Sequence, residues 1–176
     1  MTVKKILTAP DPFLKQISKP VDEVTKEIQD LMDDMLDTMY DAPGIGLAAV
    51  QIGVPLRVIV MDISWRNEEG IKEPLYFVNP EITVKTKNLS TYEEGCLSGP
   101  DQYAEIDRPE ECEINFLDYN GKKSTLNAKG LLATCIQHEM DHLEGILFID
   151  YLSKLKKSMI IKKLTKQKSK VDRIIV

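Results

Sequence analysis

Hydrophobic positions recur at intervals of three and four residues in three parts of the chain, and this spacing predicts helices. The predicted helices cover residues 25–40, 127–143 and 153–170. Pro43 and Gly44 are placed to end the first helix, and Gly145 is placed to end the second. Aspartates fill the face of the first helix opposite its methionines, which is typical of a face exposed to solvent.

The middle of the chain carries apolar residues in runs and alternations that are typical of β-strands. The predicted strands cover residues 56–63, 75–78, 82–84, 112–118 and 122–126. Asn79 and Pro80 are expected to separate the second strand from the third, and residues 65–74 are expected to form a polar loop. Asn120-Gly121 predicts a hairpin closed by a type I′ turn, because these residues tolerate positive φ angles.

The predicted strands are grouped together and do not alternate with helices, which favours an α+β fold over a doubly wound one. The expected architecture has mostly antiparallel or mixed β-sheets around a central helix, followed by a C-terminal helix. The 176 residues contain no internal repeat or long linker, so one domain spanning residues 1–176 is expected.

The composition excludes several classes of protein. The chain is 43% hydrophobic with only 9 Gly and 9 Pro, which argues against a disordered or low-complexity chain. No stretch approaches the ~20 apolar residues of a membrane span. The N-terminal residues resemble neither a secretory signal nor a transit peptide. Three cysteines do not make a disulfide scaffold and fit the reducing cytoplasm.

Charge is unevenly distributed along the chain. Residues 153–176 carry nine Lys or Arg and one Asp, whereas residues 1–152 carry fourteen basic and twenty-seven acidic side chains. The net charge of −5 therefore combines an acidic body with a basic tail of net charge +8. Two interpretations of the tail remain open, an amphipathic helix with solvated lysines and a surface that contacts phosphate groups.

The sequence H-E-x-x-H lies inside the central predicted helix, at residues 138–142. Residues four apart share a helix face, so His138 and His142 can bind one metal ion. Glu139 lies at the edge of that face and can act on water at the metal without being a ligand. The motif therefore predicts a metal site on the central helix, and it uses both histidines of the chain.

A catalytic metal site of this kind usually has a third protein ligand. Cys135 shares the helix face, but it lies roughly 10 Å from His142 along the axis at 1.5 Å per residue. Cys112 is in phase with the apolar positions of its strand and is interpreted as a core residue. Cys96 lies within residues 93–100, where two glycines and a proline predict an irregular loop that can reach a distant site. Cys96 is the favoured third ligand, and Cys135 or a carboxylate are the alternatives.

Three segments together resemble one family. Residues 44–51 (GIGLAAVQ), 94–98 (EGCLS) and 137–142 (QHEMDH) match, in order and spacing, the signature motifs of the peptide deformylases. The resemblance also includes the Asp-Arg-Pro at residues 107–109 and spans nearly the whole chain. Each motif alone is a weak signal, whereas all three in order are specific.

The resemblance implies a hydrolase that removes the formyl group from the N-terminal formyl-methionine of newly made polypeptides and releases formate. It implies Cys96, His138 and His142 as metal ligands. Fe²⁺ is the usual native metal implied by the family, and Zn²⁺, Ni²⁺ or Co²⁺ replace it in preparations. A ligand set of one sulfur and two nitrogens would by itself have favoured zinc. Glu139 is implied as the general base and then the general acid.

The resemblance also implies roles for residues around the metal. The Gln51 side-chain amide and the Leu97 backbone N–H are the implied donors to the oxyanion. Gln51 also stands out as a polar residue in an apolar run, which has a second interpretation as a buried amide bonded to backbone groups. The implied substrate-binding residues, which form the methionine pocket and pair with the substrate backbone, are Ile45, Gly46, Tyr92, Gly95, Leu131 and Cys135.

Two positions depart from the usual pattern of the family. Gly99 stands where the family usually has Ile or Val, and the missing side chain is expected to loosen the loop and leave a gap. Tyr103 stands where many members have Arg, which argues against an ionic contact with the substrate backbone at that position.

The implied partners are nascent N-formylmethionyl polypeptides. The basic tail resembles the C-terminal helix of the family, which in some bacteria contacts the ribosome. A cytoplasmic monomer without membrane or specific DNA binding is expected. Two alternative functions remain, a metallopeptidase of the H-E-x-x-H kind and a deformylase-like protein that binds metal or peptide without turnover.

Overall fold

The computed structural model describes the backbone of residues 2–175 and the side chains of residues 2–167. Within these residues the chain forms three α-helices and seven β-strands, together with short 3₁₀ turns. The helices are α1 (Lys26–Asp41), α2 (Gly130–Leu143) and α3 (Lys154–Ile175). The strands are β1 (Gly46–Ala48), β2 (Val58–Met61), β3 (Leu75–Lys85), β4 (Leu89–Cys96), β5 (Gly99–Pro109), β6 (Glu111–Leu117) and β7 (Lys123–Lys129).

The strands form two antiparallel sheets. Five strands follow the order β1-β2-β3-β6-β7, and β4 and β5 form a separate two-stranded sheet. The α+β fold with antiparallel sheets, a central helix and a C-terminal helix is therefore confirmed. In the described part of the chain, no helix is both long enough and apolar enough to span a membrane.

Strand β2 of the five-stranded sheet is buried on both faces, which explains its apolar run. Ile59 and Met61 belong to the core that lies under α2 with Ala133 and Ile136. Alternate residues of β2, such as Val58 and Val60, belong to the core formed with the methionines of α1. The period-two alternation of a strand sends neighbouring side chains to opposite faces, so both faces of β2 must be apolar.

The helix predicted at residues 25–40 is confirmed, with α1 capped by Thr25, whose side chain accepts the amide N–H of Ile28. The prediction of a helix from residue 127 is wrong at its start, because residues 127–129 continue β7 and α2 begins at Gly130. The break expected at Asn79 and Pro80 is also wrong. Asn79 adopts a positive φ of 50°, and β3 continues through it with a shifted register against β6.

The irregular loop predicted at residues 93–100 is wrong. These residues form the tip of the β4–β5 hairpin, where Cys96 pairs with Gly99. The glycine at residue 95 does not break the strand. It makes room for the Tyr103 ring, since a Cβ on Gly95 would lie 2.7 Å from the Tyr103 Cε1 atom. Cross-strand packing, which a single sequence does not display, is the reason for this glycine.

The predicted hairpin between β6 and β7 is present, but its two-residue type I′ turn is wrong. Residues 118–122 connect the strands, and within this loop Gly121 has a positive φ of 81°. The Asp118 carboxylate accepts the amide N–H groups of Asn120 and Lys122, each at 2.9 Å. This side chain stabilises a longer loop, so the Asn-Gly pair does not have to close the hairpin alone.

Gly145 follows the end of α2, three residues after His142. A substitution at Gly145 tests how tightly this end of the helix is packed. It has a φ of +72°, and a Cβ there would lie 2.3 Å from the Lys15 carbonyl oxygen. We expect Gly145→Ala to lower the free energy of unfolding by about 3 kcal/mol, from backbone strain and overpacking together. Urea denaturation of the folded protein measures this change.

Gly53 provides the matched control, because its φ of +84° is similar but no atom lies within 4 Å of its Cβ position. Gly53→Ala should lower the free energy of unfolding by only about 1 kcal/mol, from backbone strain alone. Equal losses in the two variants would contradict the packing explanation.

Candidate metal centre and substrate cleft

The two histidines lie on α2 and meet Cys96 at the tip of the β4–β5 hairpin. Their ring centroids are 5.0 Å apart. The Cys96 Sγ atom lies 3.3 Å from His142 Nε2, and the three side chains offer ligand atoms that all lie within 4.8 Å of one another. Cys135 is not part of this group. The sequence left three candidates for the third ligand: Cys96, Cys135 and a carboxylate. The structure brings Cys96 to the two histidines.

The donor set fits a divalent transition metal. One sulfur and two imidazole nitrogens converge, and both histidines are buried. Beside them the Glu139 Oε2 atom is buried and has no hydrogen-bond partner among the described residues. A buried unpaired carboxylate oxygen is costly unless a ligand completes the site, which supports a metal with its water at this place.

A carboxylate and a guanidinium fix the orientation of His138. The Glu94 Oε1 atom lies 2.9 Å from His138 Nδ1, and Arg108 donates two N–H groups to the same carboxylate at 2.7 and 3.0 Å. A third Arg108 N–H reaches Asp141 at 2.9 Å. With Nδ1 occupied by Glu94, the Nε2 atom of His138 is left for the metal.

These contacts also set the protonation of the site. Burial raises the pKa of Glu94 on its own, but its hydrogen bonds to His138 and Arg108 outweigh burial, so its pKa lies below the usual range. Sequence reasoning included Glu94 and Arg108 in motifs but assigned them no role. A buried ion pair that links residues 14 apart in sequence becomes visible only when β4 and β5 are paired.

Glu139 is buried on α2 next to the edge strand β1. Burial raises the pKa of its carboxyl to about 7, with smaller contributions from the carboxylates of Glu94 and Asp141, while His138 lowers it. The carboxylate fits tightly against Gly46, where a Cβ would lie 2.7 Å from Glu139 Oε1. A carboxyl poised near neutral pH can both accept and return a proton.

Gln51 lies in the 3₁₀ turn Ala49–Ile52 and is 1% exposed. Its Oε1 accepts the Ala48 amide at 2.9 Å, so the interpretation as an amide bonded to backbone is correct for this oxygen. Its Nε2 donates to Ser98 Oγ at 2.9 Å and lies 3.6 Å from Cys96 Sγ. The second N–H therefore donates to the sulfur of the candidate metal centre.

A cavity of about 640 Å³ opens over the metal centre. All the predicted substrate-binding residues line it, and so do Gln51, Leu97, His138 and Glu139. Burial raises the pKa of the Cys135 thiol to about 12, so this cysteine stays protonated and forms a wall of the cavity. The predicted substrate-binding residues on this cavity are Ile45, Gly46, Tyr92, Gly95, Leu131 and Cys135.

A buried aspartate that sequence reasoning missed holds the segment before β1. Asp62 is fully buried, and its carboxylate accepts the Tyr40 hydroxyl at 2.6 Å and the amides of Ser64, Trp65 and Glu73. Its own amide donates to the Ile45 carbonyl at 2.9 Å. The sequence does contain a sign of this role: Asp62 directly follows the apolar strand β2 and lies three residues before the single tryptophan of the chain.

The tryptophan completes this support, because Trp65 Nε1 donates to the Gly44 carbonyl at 2.9 Å. The residues that precede β1 are thus held from the loop after β2. This loop matches the polar loop predicted at residues 65–74, and it also fixes one wall of the cleft.

Gly99, whose missing side chain is expected to leave a gap, lies beside a small cavity. A small cavity of about 10 Å³ lies between Gly99, Phe148 and Leu164. A Cβ on Gly99 would meet the Phe148 ring at 3.6 Å, which is ordinary contact. The ring of Phe148 in turn stacks on His138, with an interplanar angle of 26°. The space beside Gly99 therefore lies behind the candidate metal centre, on the far side of the Phe148 ring from His138.

The chain resembles known proteins over nearly all of its length. The family model "Polypeptide deformylase" matches residues 3–158. A peptide deformylase of Pelagibacter ubique (strain HTCC1062) is 72% identical over 176 residues and covers 100% of both chains. A peptide deformylase of Hyphomonas neptunium is 59% identical over 174 residues, which is 98% of each chain.

Solved structures agree with the sequence comparisons. The peptide deformylase of Ehrlichia chaffeensis in complex with actinonin superimposes with a TM-score of 0.90 at 41% identity, covering 95% of this chain and 98% of that one. The peptide deformylase of Legionella pneumophila has a TM-score of 0.89 at 45% identity, covering 98% and 99%. The protein described here is therefore a member of the peptide deformylase family.

Proposed function

We propose that Cys96, His138 and His142 hold a catalytic metal and that Glu139 moves the protons of the reaction. As a peptide deformylase, the chain is a metal-dependent hydrolase that removes the N-formyl group from nascent peptides. One observation carries the assignment of residues. The buried carboxylate of Glu139, with a free Oε2 atom, lies beside the three converging ligand side chains on the wall of the cleft.

Cys96, His138 and His142 would hold a divalent metal, which would lower the pKa of water enough to make a nucleophile available at neutral pH. Glu139 would accept the proton of the water that adds to the formyl carbon. It then gives a proton to the departing amine, so that formate and a free N-terminal amine are formed. A carboxyl whose pKa is raised to about 7 is suited to both steps, because neither proton form is strongly favoured.

We assign the oxyanion donors to Gln51 and Leu97. The second N–H of Gln51 Nε2 donates to Cys96 Sγ at 3.6 Å, next to the candidate metal ligands. Among the described residues no backbone hydrogen bond outside the helices and strands uses the Leu97 amide. Both groups line the cleft next to the ligands. Fixed donors aimed at the developing negative charge stabilise the transition state without reorganising.

We assign the substrate peptide to the space between β1 and the β4–β5 hairpin. Ile45 and Gly46 line one wall and Gly95 the other, so their backbone groups border the cleft where an extended peptide would lie. In the five-stranded sheet β1 is the edge strand, which leaves one of its sides available to an added strand. The side chain of the first residue then enters the pocket of Tyr92, Leu131 and Cys135.

We propose Fe²⁺ as the native metal and Zn²⁺, Ni²⁺ or Co²⁺ as substitutes in preparations. Support comes from the usual metal implied by the family. One thiolate and two imidazoles are ligands that all four ions accept, so the donor set agrees with each of them.

We also propose that the protein works as a cytoplasmic monomer and contacts the ribosome through α3. Exposed lysines follow one side of this helix at positions 162, 163 and 166, while Ile160 and Leu164 pack against the core around Phe148. A row of cations on a firmly packed helix is suited to the phosphates of ribosomal RNA.

The role of Glu139 is tested by Glu139→Gln, which keeps the size of the side chain and removes the base. Because proton transfer contributes roughly 10²–10⁴-fold to such reactions, kcat on a formyl-Met peptide should fall by about 100-fold or more. Formate release is measured under anaerobic conditions on metal-loaded protein, together with metal content, which should remain near one equivalent. Glu93→Gln is the control, since Glu93 is an exposed residue on the same cleft. Equal activity of Glu139→Gln and the unchanged protein would refute the mechanism.

The ligand assignment is tested by comparing two cysteines. Loss of a residue that hydrogen-bonds to a metal ligand typically weakens metal affinity by roughly 10–100-fold. Cys96→Ser removes a proposed ligand itself, so it should weaken metal affinity by more than this. Cys135→Ala should leave the metal content unchanged, because Cys135 lies on the cleft wall. Chelator competition and elemental analysis measure both effects. Loss of metal from the Cys135 variant alone would contradict the assignment of Cys96.

The ribosome contact is tested by replacing Lys162, Lys163 and Lys166 with Glu. In a sedimentation assay the triple variant should no longer bind ribosomes. The unchanged protein should bind, and its binding should weaken as salt is added. Formate release from a short peptide should remain. The same number of charge reversals at Lys85, Lys87 and Lys123, exposed residues outside α3, is the control. Ribosome binding that survives the changes in α3 would exclude this surface as the contact.

A further inference from the structure

The hydroxyl of Ser98 takes part in no step of the proposed mechanism, although it is bonded to one of the proposed donors. Ser98 is 1% exposed, and its Oγ atom accepts an N–H from Gln51 Nε2 at 2.9 Å. In the described part of the chain, the residues that line the cleft include Gln51 but not Ser98. The hydroxyl therefore contacts the amide of Gln51 from behind and does not border the space for a substrate.

The surroundings of the Gln51 amide fix its orientation. Its Oε1 atom accepts the backbone N–H of Ala48 at 2.9 Å, and a backbone N–H can only donate. The NH₂ group therefore lies on the other side of the amide, where one N–H is bonded to Ser98 Oγ and the other donates to Cys96 Sγ at 3.6 Å. Because the two N–H bonds of a planar amide are fixed relative to each other, the bond to Ser98 sets the direction of the N–H that points to the candidate metal centre.

The backbones of both residues are held by one short segment near the N-terminus. The Leu7 amide donates to the Gln51 carbonyl at 2.7 Å. Two residues later, the Ala9 amide donates to the Ser98 carbonyl at 2.8 Å. This segment connects the 3₁₀ turn that carries Gln51 with the tip of the β4–β5 hairpin. Backbone contacts, and not only side chains, therefore set the distance between the amide and the hydroxyl.

We propose that Ser98 is a positioning residue whose hydroxyl directs the second N–H of Gln51 at the oxyanion that forms on the formyl group. This inference rests on the proposed function, in which Gln51 is an oxyanion donor. A donor stabilises developing charge best when it already points at it, because reorganisation during the reaction costs part of the gain. Without the hydroxyl, one N–H of Gln51 loses its acceptor, and the amide is free to turn about its terminal bond, whose torsion is broad.

Ser98→Ala removes the acceptor and leaves the backbone contacts in place. Loss of a whole oxyanion donor lowers kcat by roughly 10²–10³-fold, so a donor that is present but poorly directed should lower kcat by less, about 10-fold. KM for a formyl-Met peptide should stay the same, because the donor acts in the transition state. Formate release is measured per bound metal, which separates this effect from a loss of metal.

Ser90→Ala is the matched control. Ser90 lies on β4 of the same hairpin, and its buried hydroxyl has no hydrogen-bond partner among the described residues. This variant removes the same atom from the same residue type without changing an acceptor of Gln51. It should therefore keep the kcat and KM of the unchanged protein.

A double-mutant cycle with Gln51→Ala tests whether Ser98 acts through Gln51. When Gln51 is already Ala, the change Ser98→Ala should have no further effect on kcat, because the amide that the hydroxyl positions is absent. A change that only disturbed the hairpin or the metal ligands would lower kcat equally in both backgrounds.

Side-chain NMR signals provide a measurement that does not depend on turnover. In the Zn²⁺-loaded, ¹⁵N-labelled protein, the Gln51 NH₂ signals are identified by their absence from the spectrum of Gln51→Ala. The proton bonded to Ser98 Oγ should move upfield in Ser98→Ala, because it loses its hydrogen bond. The same proton should not move in Ser90→Ala.

An equal loss of kcat from Ser98→Ala in both backgrounds would overturn the proposal. A Ser98→Ala variant with the kcat and the Gln51 signals of the unchanged protein would overturn it as well. Absence of formate release from the unchanged, metal-loaded protein would instead refute the proposed function, so the two failures are distinguishable.

Discussion

A buried ion cluster connects β4, β5 and α2 around the candidate metal centre, and the rest of the site depends on it. Arg108 of β5 binds Glu94 of β4 and Asp141 of α2, and its side chain is 5% exposed. Cys96 follows Glu94 by two residues, and His138 precedes Asp141 by three. Burying such charges costs desolvation that largely cancels their attraction, so the cluster contributes little to the free energy of unfolding. The main consequence is geometric, because the cluster fixes the hairpin against the helix.

The same arrangement gives the two buried glutamates of the cleft different pKa values. Glu94 is paired with Arg108 and holds His138, whereas Glu139, one residue further on α2, has no cationic partner in contact and its pKa is raised to about 7. Hydrogen bonds to His138 and Arg108 hold the pKa of Glu94 below its usual range, whereas burial raises the pKa of Glu139. We infer that this difference separates the carboxylate that orients a ligand from the carboxylate that moves protons.

Much of the architecture could be predicted from local patterns. The apolar spacing of α1 and the strands of the five-stranded sheet reflect a buried face, and burial repeats with the geometry of each element. The H-E-x-x-H spacing places two imidazoles on one turn of α2 whatever the surroundings. Predictions failed where residue type has more than one structural use. Gly95 was interpreted as a break but accommodates the Tyr103 ring, and the Asn-Gly pair lies in a longer loop that Asp118 stabilises.

The sequence by itself determined the fold class, the helical histidine pair and the family motifs, because these depend on residues that are near one another in the chain. Only the tertiary structure decided which groups meet across long separations. Cys96 reaches His142 from 46 residues away, Arg108 reaches Asp141 from 33, and Asp62 supports Ile45 from the next loop. Such contacts carry no local period, and whether a polar group such as the Glu139 Oε2 atom is left unpaired depends on all the elements packed around it.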